Sequence, residues 1–138
     1  MKNSHDFRSP LGKVRAFGSA HEGTGHFIWQ RLTALVLVPL TIWFIYSLLH
    51  VAVNNDADSI NRWLSSGLNA VALIAMLLAL FYHAKLGMQV IIEDYVHAPK
   101  TKFLSLLLNL LIMFAFALMS VLAVLTIHFQ SLTQDIAG

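Results

Sequence analysis

One run of the chain, FYHAKLGMQVIIEDYVH at 81–97, holds residues whose types and spacing could do chemistry: His83, Gly87, Asp94 and Tyr95. A helix turns about 100° per residue, so with His83 as origin Gly87 lies near 40°, Val90 near −20° and Asp94 near 20°. These share one narrow stripe, polar only at its two ends. Tyr95 lies about 120° round at the Asp94 end, and Gln89 about 120° the other way, off the stripe. His83 and Asp94 are about 16.5 Å apart along the axis. An imidazole with a missing side chain one turn away is what axial ligation of a planar macrocycle needs. A phenol supplies a preorganised hydrogen-bond donor without carrying charge. Each residue also has a plain reading. A lone transmembrane histidine can bond a neighbouring helix, and Gly87 can be a close helix contact. Tyr95 can be an interfacial belt aromatic, and Asp94 a rim charge or the partner of a base.

The elements that must position these residues follow from hydropathy. The chain has 138 residues, 57% apolar and only 12% charged, about half the charge of an ordinary soluble domain. Leu32–Val53, Trp63–Ala84 and Phe103–Phe129 contain no Asp, Glu, Lys or Arg. About 20 apolar residues cross a bilayer as a helix, and lipid leaves no partner for unpaired backbone groups. An all-α integral membrane fold with three transmembrane helices is expected, with spans of about 28–53, 66–95 and 103–129. The second helix is expected to start near Leu68 and run to about Tyr95. The more polar DSINRWLSSG before it is expected along the interface, and Pro39 is expected to kink the first span.

Charge sets the orientation. Lys2, Arg8, Lys13, Arg15 and Arg31 precede or open the first helix, and Lys85, Lys100 and Lys102 lie at or near the second connection. Only Arg62 falls in the first connection, beside Asp56 and Asp58. The positive-inside rule then predicts a cytoplasmic N-terminus and a C-terminus on the periplasmic or intermembrane side. Residues 1–25 have no apolar h-region, so they are read as a polar cytoplasmic arm rather than a signal peptide. Residues 26–138 are expected to form the three-helix transmembrane domain. With no cysteine, the chain can hold no disulfide, iron–sulfur cluster or covalent c-type haem of its own.

HAKLGMQVIIEDYVH resembles the H-x-x-x-G-x-x-x-x-x-x-D-Y signature of the hydrophobic membrane-anchor subunits of succinate dehydrogenase, respiratory complex II. GTGHFIWQRLTALVLVPLT, at 23–41, is similar to that family's entry into its first helix, with Arg31, Thr33 and Ala34 in place. The resemblance spans about residues 18–128. It implies that His83 is one axial ligand of a b-type haem, the other histidine coming from a companion cytochrome b subunit. It implies that Tyr95 hydrogen-bonds a ubiquinone carbonyl, with Asp94 beside that site in a charge pair or proton path. Arg31, and less directly His26, would lie near a haem propionate. Succinate oxidation would belong to a flavoprotein subunit and an iron–sulfur subunit, since this chain has no Gly-rich nucleotide loop. The location implied is the inner membrane, multi-pass, with lipid and no nucleic acid as further partners.

Lys85 departs from the family pattern. It lies about 200° from His83, where it would snorkel to the surface or meet a partner protein. His50 and His128, at the outer helix ends, could in principle ligate a second haem, but solvated or hydrogen-bonded roles are commoner there. His5, His21 and His97 read as surface residues, and Asn109 as an interhelical hydrogen bond. The rival functions are the anchor of a fumarate reductase or other quinone-linked dehydrogenase, and a scaffold binding neither haem nor quinone. Use of menaquinone would favour the first, and the Asp94–Tyr95 pair leans against it.

Overall fold

The computed structural model describes residues 20–54 and 58–137, with side chains described over 24–53 and 59–133. Residues 1–19 of the polar arm, with His5, lie outside that range, as does the side chain of His21. The described residues are entirely helical apart from short connections. Helix α1 is Ala20–Asn54, α2 is Asp58–Ser65, α3 is Gly67–Tyr95 and α4 is Pro99–Ala137. The three long helices are apolar enough and long enough to cross a membrane.

The helices overrun the apolar runs that predicted them. α1 begins at Ala20 rather than near 28, and α4 runs from Pro99 to Ala137 rather than over 103–129. Hydropathy marks the lipid-facing part of a helix, not its ends. At 1.5 Å per residue α1, of 35 residues, is about 52 Å long. That exceeds the ~30 Å hydrocarbon core, so its ends emerge or the helix tilts. α1 continues through Pro39.

The breaks have local causes. Ser65 Oγ donates to Arg62 O at 2.8 Å, closing α2. Asn69 Nδ2 reaches back to Trp63 O at 2.9 Å and ties α3 to the turn before it. At the other end Val96 leaves the helical region, its N–H still bonded to Ile92 O at 3.0 Å. Pro99 then opens α4 at the first helical position, where a missing N–H costs nothing. A three-residue connection makes α3 and α4 antiparallel neighbours.

α3 lies in the middle. It packs against α1 on one side and α4 on the other, while α1 and α4 do not touch among the described residues. α2 bridges the ends of all three. This is the DSINRWLSSG segment, folded as a short helix with Leu64 and Ser59 buried. Trp63 stacks on Trp43 at 5.8 Å, and His128 Nδ1–H donates to Leu64 O at 2.7 Å. Phe81 and Phe116 stack at 6.2 Å between α3 and α4. Much of what is buried is small or polar: Ala70, Thr33, Ser47, Asn109 and Ser131. Lipid gives no hydrophobic drive between helices, so close approach and hydrogen bonds hold them instead.

Candidate haem and quinone site

α3 is one unbroken rod from Gly67 to Tyr95, so the stripe of His83, Gly87 and Asp94 exists as the sequence predicted. Its inner part faces α1. His83 Nδ1 lies 3.0 Å from Thr33 Oγ1. A β-carbon built on Gly87 would meet only Gln30 Nε2, at 3.9 Å. Two levels of α3 are thereby matched to two levels of α1: His83 with Thr33, and Gly87 with Gln30. Continuing the antiparallel match brings Val90 level with His26. His26, Gln30 and Thr33 recur at i, i+4 and i+7, the spacing of one helix face.

The His83 ring is held at one nitrogen only. Nε2 has no hydrogen-bond partner among the described residues. A ring oriented through one nitrogen with the other bare is the arrangement of a metal-ligating histidine. Among the described residues no three His, Asp or Glu side chains converge to hold an ion. His26, on the same face of α1 as Thr33, is half-buried, and its Nε2 is enclosed with no partner among the described residues. An enclosed polar atom left unpaired costs about 1–3 kcal/mol, and a group supplied from outside the chain would relieve it.

Asp94 and Tyr95 sit at the far end of the rod. Both are exposed, Tyr95 at 79%. Asp94 has no ion pair among the described residues. The Tyr95 carbonyl accepts from His97 Nδ1 at 3.2 Å, and the phenol has no hydrogen-bond partner among the described residues. Arg31 is not brought to the His83 face. It is about 200° from Thr33 around α1, with its guanidinium 4.5 Å over the Phe27 ring. There it lines a shallow apolar groove of about 640 Å³ with Phe27, Ile28, Leu32, Ala34, Leu35 and Val38.

Lys85 has a clear account. Its Nζ donates to Gln89 Oε1 at 3.0 Å, and Gln89 Nε2 donates to Glu93 Oε1 at 2.8 Å. This ladder climbs two turns of α3 toward the rim, off the His83 face. The backbone of the same stretch is tied to α4: Asn109 Nδ2 donates to Lys85 O at 3.1 Å, and Lys102 Nζ to Glu93 O at 3.1 Å. Lys85 thus snorkels within its own helix. Of the outer histidines, His128 is spent on Leu64 and His50 is exposed. Gln30 is a site neighbour that the sequence does not single out, and Thr33 stands out only within the family segment; the His26, Gln30, Thr33 periodicity is the signal that points to both.

Residues 5–130 match the family model described as succinate dehydrogenase/fumarate reductase transmembrane subunit. The chain is 37% identical over 99 residues to the succinate dehydrogenase hydrophobic membrane anchor subunit of Rickettsia bellii, covering 72% of this chain and 78% of that one. It is 38% identical over 99 residues to the protein of the same name from Rickettsia conorii, covering 71% and 78%. The succinate dehydrogenase membrane anchor subunit of Reclinomonas americana is 29% identical over 100 residues, covering 70% and 82%. No solved structure gives a significant match.

Proposed function

The chain belongs to the succinate dehydrogenase/fumarate reductase transmembrane subunit family, and from that premise we propose that it anchors a succinate:ubiquinone oxidoreductase, supplying one haem b ligand and part of the quinone site. It is a multi-pass membrane protein, and the inner membrane is the proposed location. Its partners would be a cytochrome b subunit, the iron–sulfur subunit and the flavoprotein subunit, the last two carrying the succinate chemistry. The observation that carries the reading is the His83 ring, fixed through Nδ1 by Thr33 with Nε2 bare and Gly87 open beside it.

When bound, the haem would supply one-electron storage between the two subunits that clasp it. The residues of this chain do the rest. His83 would hold the iron through Nε2, and the absent side chain of Gly87 would leave room for the group beside it. His26, on the same face of α1 with its Nε2 enclosed and unpaired among the described residues, would pair with a propionate. Arg31 could reach one only through its length, from the outward side. At the rim, Tyr95 O–H donates to a quinone carbonyl, where charge grows as electrons arrive, and needs no charge of its own to do so. Asp94, solvent-exposed beside it, orders a water or a partner's base for proton delivery. The antiparallel order brings the start of α1, with Arg31, to the same end as Lys100 and Lys102, while Arg62 lies in the other connection. That supports a cytoplasmic face for this end, where protons are at hand.

The test uses the purified complex. His83→Ala should abolish the b-type reduced-minus-oxidised spectrum; retention of that spectrum would defeat the ligand assignment. Tyr95→Phe should cut quinone reduction while leaving succinate oxidation by a soluble dye intact. Equal rates to wild type in both assays would make Tyr95 a belt aromatic.

A further inference from the structure

The contact between Thr33 and His83 has a direction. The Thr33 hydroxyl has one proton, and two carbonyls of its own helix compete for it: Trp29 O at 2.9 Å and Gln30 O at 3.0 Å. The lone pairs of Oγ1 are what remain for His83. The 3.0 Å contact is then Nδ1–H donating to Thr33 Oγ1. The opposite arrangement would move the ring proton to Nε2, where no acceptor meets it among the described residues. An N–H left unpaired in the apolar surroundings of a membrane span is disfavoured, which favours the Nδ1–H tautomer.

Resting on the reading of His83 as an axial ligand, we propose that Thr33 is its positioning residue: it selects the Nδ1–H tautomer and so presents the Nε2 lone pair to iron. The hydroxyl is suited to this. Thr33 is buried, at 9% exposure, and its β-branched side chain has few rotamers on a helix. Its own proton is drawn toward the α1 carbonyls, which polarises the oxygen and strengthens it as an acceptor. An imidazole whose far N–H is held by an acceptor is the more basic ligand, and its ring plane is fixed. Stronger donation favours ferric over ferrous iron, so losing the acceptor should raise the haem midpoint potential.

The experiment compares Thr33→Val, Thr33→Ala and Thr33→Ser in the assembled complex. Outer-shell partners of metal-bound histidine are worth about 10- to 100-fold in metal affinity. Thr33→Val and Thr33→Ala should therefore lower haem retention about tenfold or more under competition by apomyoglobin. They should also raise the midpoint potential; a tenfold change in ferric preference corresponds to about 59 mV for one electron. Thr33→Ser, which keeps the oxygen, should match wild type. Three variants with wild-type retention and potential would overturn the proposal, while loss of haem in His83→Ala would still uphold the ligand. If Thr33→Val or Thr33→Ala impairs assembly, the same change in a His83→Ala background decides. Equal loss with and without His83 makes Thr33 a packing residue and overturns the proposal; loss only when His83 is present supports it.

Discussion

Gly87 separates the haem reading from the packing reading more sharply than any other position. Among the described residues a β-carbon there would have a single neighbour, Gln30 Nε2, at ordinary contact distance of 3.9 Å. Gly87→Ala should therefore disturb nothing in the helix pair and gain about 0.8–1 kcal/mol of helix propensity. If the gap is filled by the edge of a macrocycle, the same methyl meets a packed ring. Overfilling a packed contact costs about 1–3 kcal/mol, or about 5- to 150-fold in affinity. The expected outcome for Gly87→Ala is an intact complex with weakened haem, and for Gly87→Leu an intact complex with none. Gly67→Ala, at a position where an added β-carbon meets nothing within 4 Å among the described residues, should leave haem content unchanged. The assay is haem per complex by pyridine haemochrome, alongside the melting temperature of the detergent-solubilised complex. A close helix contact at Gly87 predicts the reverse: full haem and lost assembly. Stoichiometric haem with an unshifted spectrum in both Gly87 variants would refute the reasoning.

The other expectations concern the polar ties of α3. Asn109, at 7% exposure, donates to the Lys85 carbonyl, and interhelical hydrogen bonds in membranes are worth about 0.6–1.7 kcal/mol. Asn109→Leu should lower stability by that amount in mixed-micelle unfolding; a gain in stability would show that apolar packing there outweighs the bond. Gln89→Leu breaks the Lys85–Gln89–Glu93 ladder and should cost about 1–2 kcal/mol, since hydrogen bonds to charged groups exceed neutral ones. Adding Lys85→Leu should restore most of it, because the stranded ammonium is then gone. Failure of that second change to restore stability would mean the stranded ammonium is not the source of the loss.

How far the sequence can be read depends on which interactions are local. The spans are legible because lipid excludes charge, and the His83 stripe because one helical period fixes which residues share a face. The ends of α1 and α4 are not, since polar residues continue a helix once it has left the hydrocarbon. Thr33 is legible only through the family pattern of its segment, with no role attached. A wheel drawn for α3 cannot say which residue of a helix 50 positions away meets its histidine. The Lys85–Gln89–Glu93 spacing of i, i+4, i+8 is readable in principle, yet a stripe centred on His83 leaves all three off its face. Arg31 is a different case. Its place in the segment matches the family pattern, but it points away from the face that holds His83.

The layered order of the helices explains why such a chain would be half of a site. α1 meets α3 but not α4 among the described residues. Large apolar side chains of α1 remain exposed, including Leu35 at 70% and Tyr46 at 69%. A third helix closing on α1 would have buried them and surrounded the His83 face with this chain's own residues. The open layer instead keeps one imidazole anchored from behind by Thr33, with its other nitrogen unspent. On the proposed reading, iron with two histidine ligands would take its second imidazole from a partner subunit. The haem, on this account, would link two subunits as well as store an electron, so that complexes lacking haem should release this chain in harsh detergent more readily than complexes that retain it.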